Sequence, residues 1–162
     1  MTGHYEYRHA VRALLVREDK RVLLIHTFIP DTQTLIWLAP GGGIEAGEDP
    51  RTSLFREILE ETGLRTQNAS DPVWHRQLKF HLHGKGYDQY EDFYWVPTAN
   101  FEPDASANPA VGERDIFRGF KWWSQAEIEA ATDEIFVPLK FASHFATLLN
   151  EGLPSQSCDV GR

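Results

Sequence analysis

Three glutamates, Glu57, Glu60 and Glu61, stand at i, i+3 and i+4 in the run Arg56-Glu57-Ile58-Leu59-Glu60-Glu61-Thr62-Gly63-Leu64, downstream of a glycine turn, Gly41-Gly42-Gly43, and of Glu48. If that run is helical, about 100° per residue gathers the three carboxylates within roughly a third of the circumference, with Leu54, Phe55, Ile58 and Leu59 on the other side. Like charges at these spacings repel by a few tenths of a kcal/mol per pair, and an ordinary surface helix intersperses lysines to offset this. No lysine lies between Lys20 and Lys79. Clustered carboxylates are what hard divalent cations need, because Mg²⁺ and Mn²⁺ take oxygen ligands in near-octahedral geometry. The spacing predicts a metal cradle.

The elements that must hold these residues can be read from the same stretch. Asp49 is a good N-cap, Pro50 suits the first helical position and Gly63 suits the position just past a helix end, which predicts a helix over about 49–62. The glycines at 41–43 permit a tight strand-to-helix turn, and that turn would present a backbone carbonyl to the acids. Segments 7–16 and 21–28 are β-prone and joined by the polar turn Glu18-Asp19-Lys20, as a hairpin would be. A short strand at 36–39 enters the glycines, and further strands are expected at about 73–83, 87–98 and 118–123. Ser124 and Glu127 form a capping-box signature for a short helix. Pro138 is expected to start a last helix through Leu139, Ala142, Phe145, Ala146 and Leu149, ending at Gly152. Helices and strands do not alternate regularly, so a mixed α/β sandwich fits better than a doubly wound sheet.

The pattern G-x5-E-x7-R-E-apolar-x-E-E-x-G-apolar is met at every position by Gly42, Glu48, Arg56, Glu57, Ile58, Glu60, Glu61, Gly63 and Leu64. In this the chain resembles the Nudix hydrolase family. The resemblance covers Gly42 to Leu64 of 162 residues. It implies a Nudix-type α/β/α sandwich with a mixed sheet between helices. It also implies a metal-dependent pyrophosphohydrolase that cleaves a nucleoside diphosphate linked to another moiety, with Mg²⁺ or Mn²⁺ as cofactor. Carried over position by position, Glu57, Glu60, Glu61 and the Gly41 carbonyl would ligate the ion, and Gly42, Glu48 and Arg56 would shape the loop and orient the acids. Family members often take the general base from a loop before the last sheet strand, which points here to Glu113, with Glu91 and Asp92 on a predicted strand as rivals. The signatures of ADP-ribose and diadenosine polyphosphate types, a proline and a tyrosine beyond the box, are not met, since those places hold Lys79, Phe80, His81 and Leu82. Nucleoside triphosphates, oxidised nucleotides and nucleotide sugars stay open. A catalytically silent nucleotide-binding relative, an isomerase of similar fold and a metal buffer are the competing functions, and the intact acids speak against the first.

The bulk numbers bound this reading. A chain of 162 residues with 41% hydrophobic content fits one domain with a real core, taken as 1–152, with 153–162 as a loose tail. Its apolar runs are far shorter than the ~20 residues of a membrane span, and MTGHYEYRHAVR has no apolar leader core, so a soluble, cytoplasmic protein is expected. Cys158 is the only cysteine and suggests neither disulfide nor thiolate chemistry. The net charge of −8 argues against a nucleic-acid polymer as partner, while a small nucleotide-type substrate bridged by metal stays compatible, as does a homodimer. No basic phosphate cradle is legible, which would leave metal as the main source of positive charge. His75, His81 and His83 are read as ordinary strand residues. Trp37, Trp122, Trp123 and the aromatics at 87–95 are read mainly as core, with any one of them able to stack on a base.

Overall fold

The computed structural model describes residues 3–108 and 115–162. Its strands are β1 (Tyr5–Arg17), β2 (Val22–Ile29), β3 (Thr34–Leu38), β4 (Gly41–Gly43), β5 (Pro72–Leu82), β6 (Lys85–Thr98), β7 (Phe117–Trp123), β8 (Phe136–Val137) and β9 (Cys158–Asp159). Its helices are α1 (Pro50–Thr62), α2 (Gln125–Ala130) and α3 (Phe141–Glu151). The sheet is mixed, in the order β8-β3-β2-β1-β6-β5-β9, with β4 on β1 and β7 on β2.

The register explains where the sheet opens. β1 runs parallel to β6 along its whole length, from Tyr5 opposite Gly86 to Arg17 opposite Thr98. Its antiparallel pairing with β2 is confined to Val16 opposite Val22. Beyond that point β4 takes the place of β2, with Arg12, Val11 and Ala10 opposite Gly41, Gly42 and Gly43. The half-sheet β2-β3-β7 thus leaves the half-sheet β1-β6-β5, and a cleft forms between them.

Alternation along β1 divides the core into two layers. Val11, Ala13 and Leu15 pack with Leu54 and Ile58 of α1 and with Tyr94 and Val96. Leu14 and Val16 face the other way, toward Trp74, Phe93 and the α3 residues Phe141, Phe145 and Leu148. Full burial of Leu54 and Ile58, each worth about 1.5–3 kcal/mol, fixes α1 on its side of the sheet. The result is a mixed sheet between helices, as expected.

The caps of α1 follow the sequence closely. The Asp49 carboxylate accepts from the Thr52 amide at 2.9 Å, and Gly63 closes the helix at φ 79 with its amide on the Leu59 carbonyl. The capping box of α2 forms between Ser124 and Glu127.

Two C-terminal expectations need correction. The last helix begins at Phe141 rather than at Pro138, because Phe136 and Val137 are taken up by the edge of β3 and the intervening residues make the turn. Leu139, expected on the apolar face of that helix, is exposed. Residues 153–162, expected as a loose tail, return to the sheet. Cys158 and Asp159 pair with Trp74 and His75 of β5, Val160 is buried in the larger core layer, and the Val160 amide donates to the His75 carbonyl at 3.0 Å. A short segment needs only one apolar anchor and an open strand edge to dock, and neither shows as periodicity.

Candidate active site

The acids of α1 gather where β4 leads into the helix. Arg56 organises them. Its Nε donates to Glu48 Oε2 at 2.7 Å and its NH2 nitrogen to Glu48 Oε1 at 2.9 Å, while its NH1 nitrogen donates to Glu57 Oε1 and Glu60 Oε2, both at 3.1 Å. The hydrogen bond from Arg56 holds the Glu48 carboxyl at about 2 and in return raises the guanidinium. Glu48 also accepts from the Glu45 amide at 3.1 Å, which fastens the loop to the helix.

Glu57 differs from its neighbours in being buried, at 7% exposure, against β4. A Cβ at Gly42 would lie 2.5 Å from Glu57 Oε1, so a glycine is required where the strand passes over this carboxylate. Glu61 Oε2 accepts from the Gly41 amide at 2.7 Å, tying the C-terminal end of α1 to the same turn. The Gly41 carbonyl lies 3.5 Å from the NH1 nitrogen of Arg12.

This donor set fits a hard divalent cation in its chemistry. It comprises three carboxylates from successive turns of one helix beside a peptide carbonyl, with the Cβ-free backbone of Gly42 leaving space at Glu57. Among the described residues no three histidine, cysteine or carboxylate side chains are already converged on a single point. Arg56 supplies the counter-charge between Glu57 and Glu60 instead.

Gly41, Gly42 and Glu61 help line a cavity of about 1110 Å³ in the cleft between the two half-sheets. Arg8 and Arg12 of β1, Arg76 and Lys79 of β5, and Gln89 and Glu91 of β6 also line it, with Leu78, Phe80, Ile25 and Ile36 among its apolar parts. Positive side chains therefore do meet beside the acid helix, contrary to the expectation of no basic cradle. The site residues that sequence reasoning missed are Arg8, Arg12, Arg76 and Gln89. One signal was present, since Arg12 interrupts the otherwise apolar run from Ala10 to Val16.

Glu91 is the centre of a buried network. It is 1% exposed, accepts from Arg76 Nε at 2.8 Å and from Gln89 Nε2 at 2.7 Å, and lies 3.5 Å from the NH2 nitrogen of Arg12. Burial alone would raise its carboxyl, but the Arg12 and Arg76 guanidiniums outweigh that and hold it at about 2. A carboxylate held so low is a poor proton acceptor near neutrality, which argues against Glu91 as the general base. Asp92 points to the opposite face of β6, where it pairs with His9 at 2.9 Å. Glu113 lies outside the described residues.

The remaining candidates are dispersed. His75 bonds to the Ser157 hydroxyl at 2.7 Å, His81 meets the Tyr5 ring edge-on, and the His83 amide donates to Asp31 at 2.7 Å in the β5–β6 turn. Phe93, Tyr94 and Trp123 are buried core, while Trp37 stacks on His26 at 4.1 Å. No helix among the described residues is long and apolar enough to cross a membrane.

Comparison with known proteins agrees with this fold. The family model described as NUDIX domain matches residues 6–144. A protein of Dinoroseobacter shibae named RNA pyrophosphohydrolase is 44% identical over 145 residues, covering 83% of this chain and 84% of its own. Nudix hydrolase 25 of Arabidopsis thaliana is 30% identical over 141 residues, covering 78% of each chain. Among solved structures, the MutT protein from Methanosarcina mazei Go1 superposes with a TM-score of 0.65 at 20% identity, over 93% of this chain and 98% of that one, a likeness of fold.

Proposed function

The chain belongs to the Nudix hydrolase family, whose members act on pyrophosphate bonds, and from that premise we propose that it is a divalent-metal-dependent pyrophosphohydrolase of nucleotides in the cytoplasm. Its substrate would be a nucleoside diphosphate linked to another moiety, with the anhydride laid between the α1 acids and Arg12. The observation that carries this reading is the junction of the two: Glu61, bonded to the Gly41 amide, lines the same cavity as Arg8, Arg12 and Arg76.

Glu57, Glu60, Glu61 and the Gly41 carbonyl would hold Mg²⁺ or Mn²⁺, which when bound supplies positive charge to the phosphoryl oxygens. Arg56 aligns Glu57 and Glu60 and ties both to Glu48. The Gly41 amide fixes the rotamer of Glu61. Arg12 stands between Glu91 and the Ala39 and Gly41 carbonyls, where it can neutralise a phosphate entering beside the glycine turn. Glu113 is the residue we assign to take the proton from the attacking water.

A second reading concerns the other moiety. The 44% identical relative is named RNA pyrophosphohydrolase, and a 5′-triphosphorylated RNA end carries the same anhydride as a free nucleoside triphosphate. The net charge of −8 spoke against a polymer, but it does not describe the local wall formed by Arg8, Arg12, Arg76 and Lys79. Purified protein is to be offered nucleoside triphosphates, oxidised nucleotides, nucleotide sugars and 5′-triphosphate RNA with Mg²⁺ or Mn²⁺, reading released phosphate after coupled phosphatase. Hydrolysis of at least one class, abolished by chelation, is expected. Hydrolysis that survives exhaustive chelation would sink the metal assignment, and preference for RNA over free triphosphates would decide for the second reading.

A further inference from the structure

Two polar atoms beside the cavity have no hydrogen-bond partner among the described residues: the Oε1 oxygen of Gln89 and the NH1 nitrogen of Arg76. Gln89 is completely buried, Arg76 is 5% exposed, and both side chains line the cavity. Neither can turn away. Gln89 commits its Nε2 to Glu91 at 2.7 Å, and a flipped amide would set oxygen against carboxylate, so Oε1 is fixed as an acceptor. Arg76 is pinned through Nε to the same carboxylate at 2.8 Å. Buried polar groups in a folded chain almost always find a partner, and two orphans on side chains that bond to one carboxylate point to a partner that comes from outside.

The two atoms ask for a particular chemistry. A phosphate oxygen suits the guanidinium donor but is repelled by the amide oxygen. The missing group must therefore carry an acceptor and an N–H or O–H donor side by side. The apolar neighbours Leu78 and Phe80 favour a flat, uncharged ring over a ribose hydroxyl. A cyclic amide edge, C=O next to N–H, satisfies both atoms at their strongest, because a guanidinium pairs best with a keto oxygen, as arginine does with guanine O6. The amidine edge of adenine offers a ring nitrogen and an amino group, weaker on both counts.

The position agrees with this assignment. Gln89 lies opposite Arg8 on β1, whereas Gly41 lies opposite Arg12. Four residues of strand, about 13 Å, separate Gln89 from the glycine turn along the sheet, with Arg76 level with Ala10 between them, and the sugar and phosphates would run along that interval. On the reading that this enzyme cleaves nucleotide anhydrides, we propose that Gln89 and Arg76 read the substrate's base and select one with a cyclic amide edge, such as guanine or hypoxanthine, over adenine.

The test compares GTP, ITP and ATP by kcat/KM with Mg²⁺, and GDP, IDP and ADP by calorimetric binding in a chelating buffer. GTP and ITP are expected to exceed ATP by roughly tenfold to a hundredfold, the range of one good bidentate base contact, with the diphosphates following the same order. ITP lacks the 2-amino group, so its agreement with GTP assigns the effect to the amide edge. Arg76→Lys keeps a charge for Glu91 but removes the free NH1 donor, and Gln89→Met removes the acceptor at similar volume. Each is expected to bring the GTP to ATP ratio toward unity, with folding checked by circular dichroism. Equal treatment of guanine and adenine by the unaltered protein, which no folding defect can explain, would overturn the proposal, as would a ratio that both folded variants preserve. Base-selective binding without hydrolysis of any nucleotide would sink the functional reading and keep the base reader, and hydrolysis without base preference would do the reverse.

Discussion

On α1, one arginine, Arg56, faces three acids, Glu48, Glu57 and Glu60, at 3.1 Å or closer, whereas on the cavity floor two arginines, Arg12 and Arg76, share the single carboxylate of Glu91. The helix cluster is in part open to water and carries surplus negative charge. The floor is buried and carries surplus positive charge. Each surplus suits a role that the other could not serve. An acid excess at a wet edge can be compensated by a cation from solution, whereas a cation excess inside a low-dielectric cleft attracts an anionic substrate and strengthens every hydrogen bond it makes. A nucleotide lying across the cleft would be held between the two.

The comparison can be broken most severely at the floor. Glu91→Leu would leave Arg12 and Arg76 buried without their counter-ion and is expected to cost about 3–5 kcal/mol, read as a loss of stability in urea unfolding. A cost below about 1 kcal/mol would mean that water screens the floor as it does the helix, and the contrast between a buried and an open cluster would fail.

Next in size is the helix. Glu61→Gln removes a charge at nearly constant volume and is expected to lower kcat by roughly 10²–10³-fold, the scale of losing one preorganised charge at a reacting centre, while the melting temperature is retained. Wild-type turnover by this variant under saturating metal would remove Glu61 from the ligand set. If it instead lost as much stability as Glu91→Leu, the two clusters would not be functionally distinct.

Acidification separates them by pH. Glu91 is held at about 2 against an ordinary 4.5, so the folded state prefers its carboxylate. Its contribution is complete above pH 4.5 and is lost as pH falls toward 2, about 3 kcal/mol over that interval. The stability difference between wild type and Glu91→Gln, followed by denaturant unfolding at stepped pH, is expected to shrink through that window. A difference that stays constant from pH 5 to about 2 would show that Glu91 is not a buried carboxylate of this kind.

Smaller effects sharpen the helix side. Gly42→Ala places a methyl 2.5 Å from Glu57 Oε1, forces that carboxylate aside and is expected to weaken Mg²⁺ or Mn²⁺ affinity by about 10–100-fold, measured by metal titration of turnover. Asp49→Ala removes the cap that accepts from the Thr52 amide and is expected to cost about 1 kcal/mol, with little change in kcat. Unaltered metal affinity in Gly42→Ala would show that Glu57 does not need its present rotamer to serve the site.

The sequence by itself determined the helix side. Asp49, Pro50 and Gly63 mark the ends of α1, and its acids collect on one face because a 3.6-residue period is a property of a few consecutive residues. The strands were legible for the same reason, through their alternation and the turns between them. Only the tertiary structure decided the floor. Arg12 and Glu91 are 79 positions apart and meet because β1 and β6 run parallel in one register, and a slip of one residue would send Glu91 to the face that Asp92 now occupies. The docking of β9 and the late start of α3 depend likewise on strand edges left open by distant segments. Local periodicity is written in neighbouring residues, whereas strand register is a choice among pairings that the whole core makes at once.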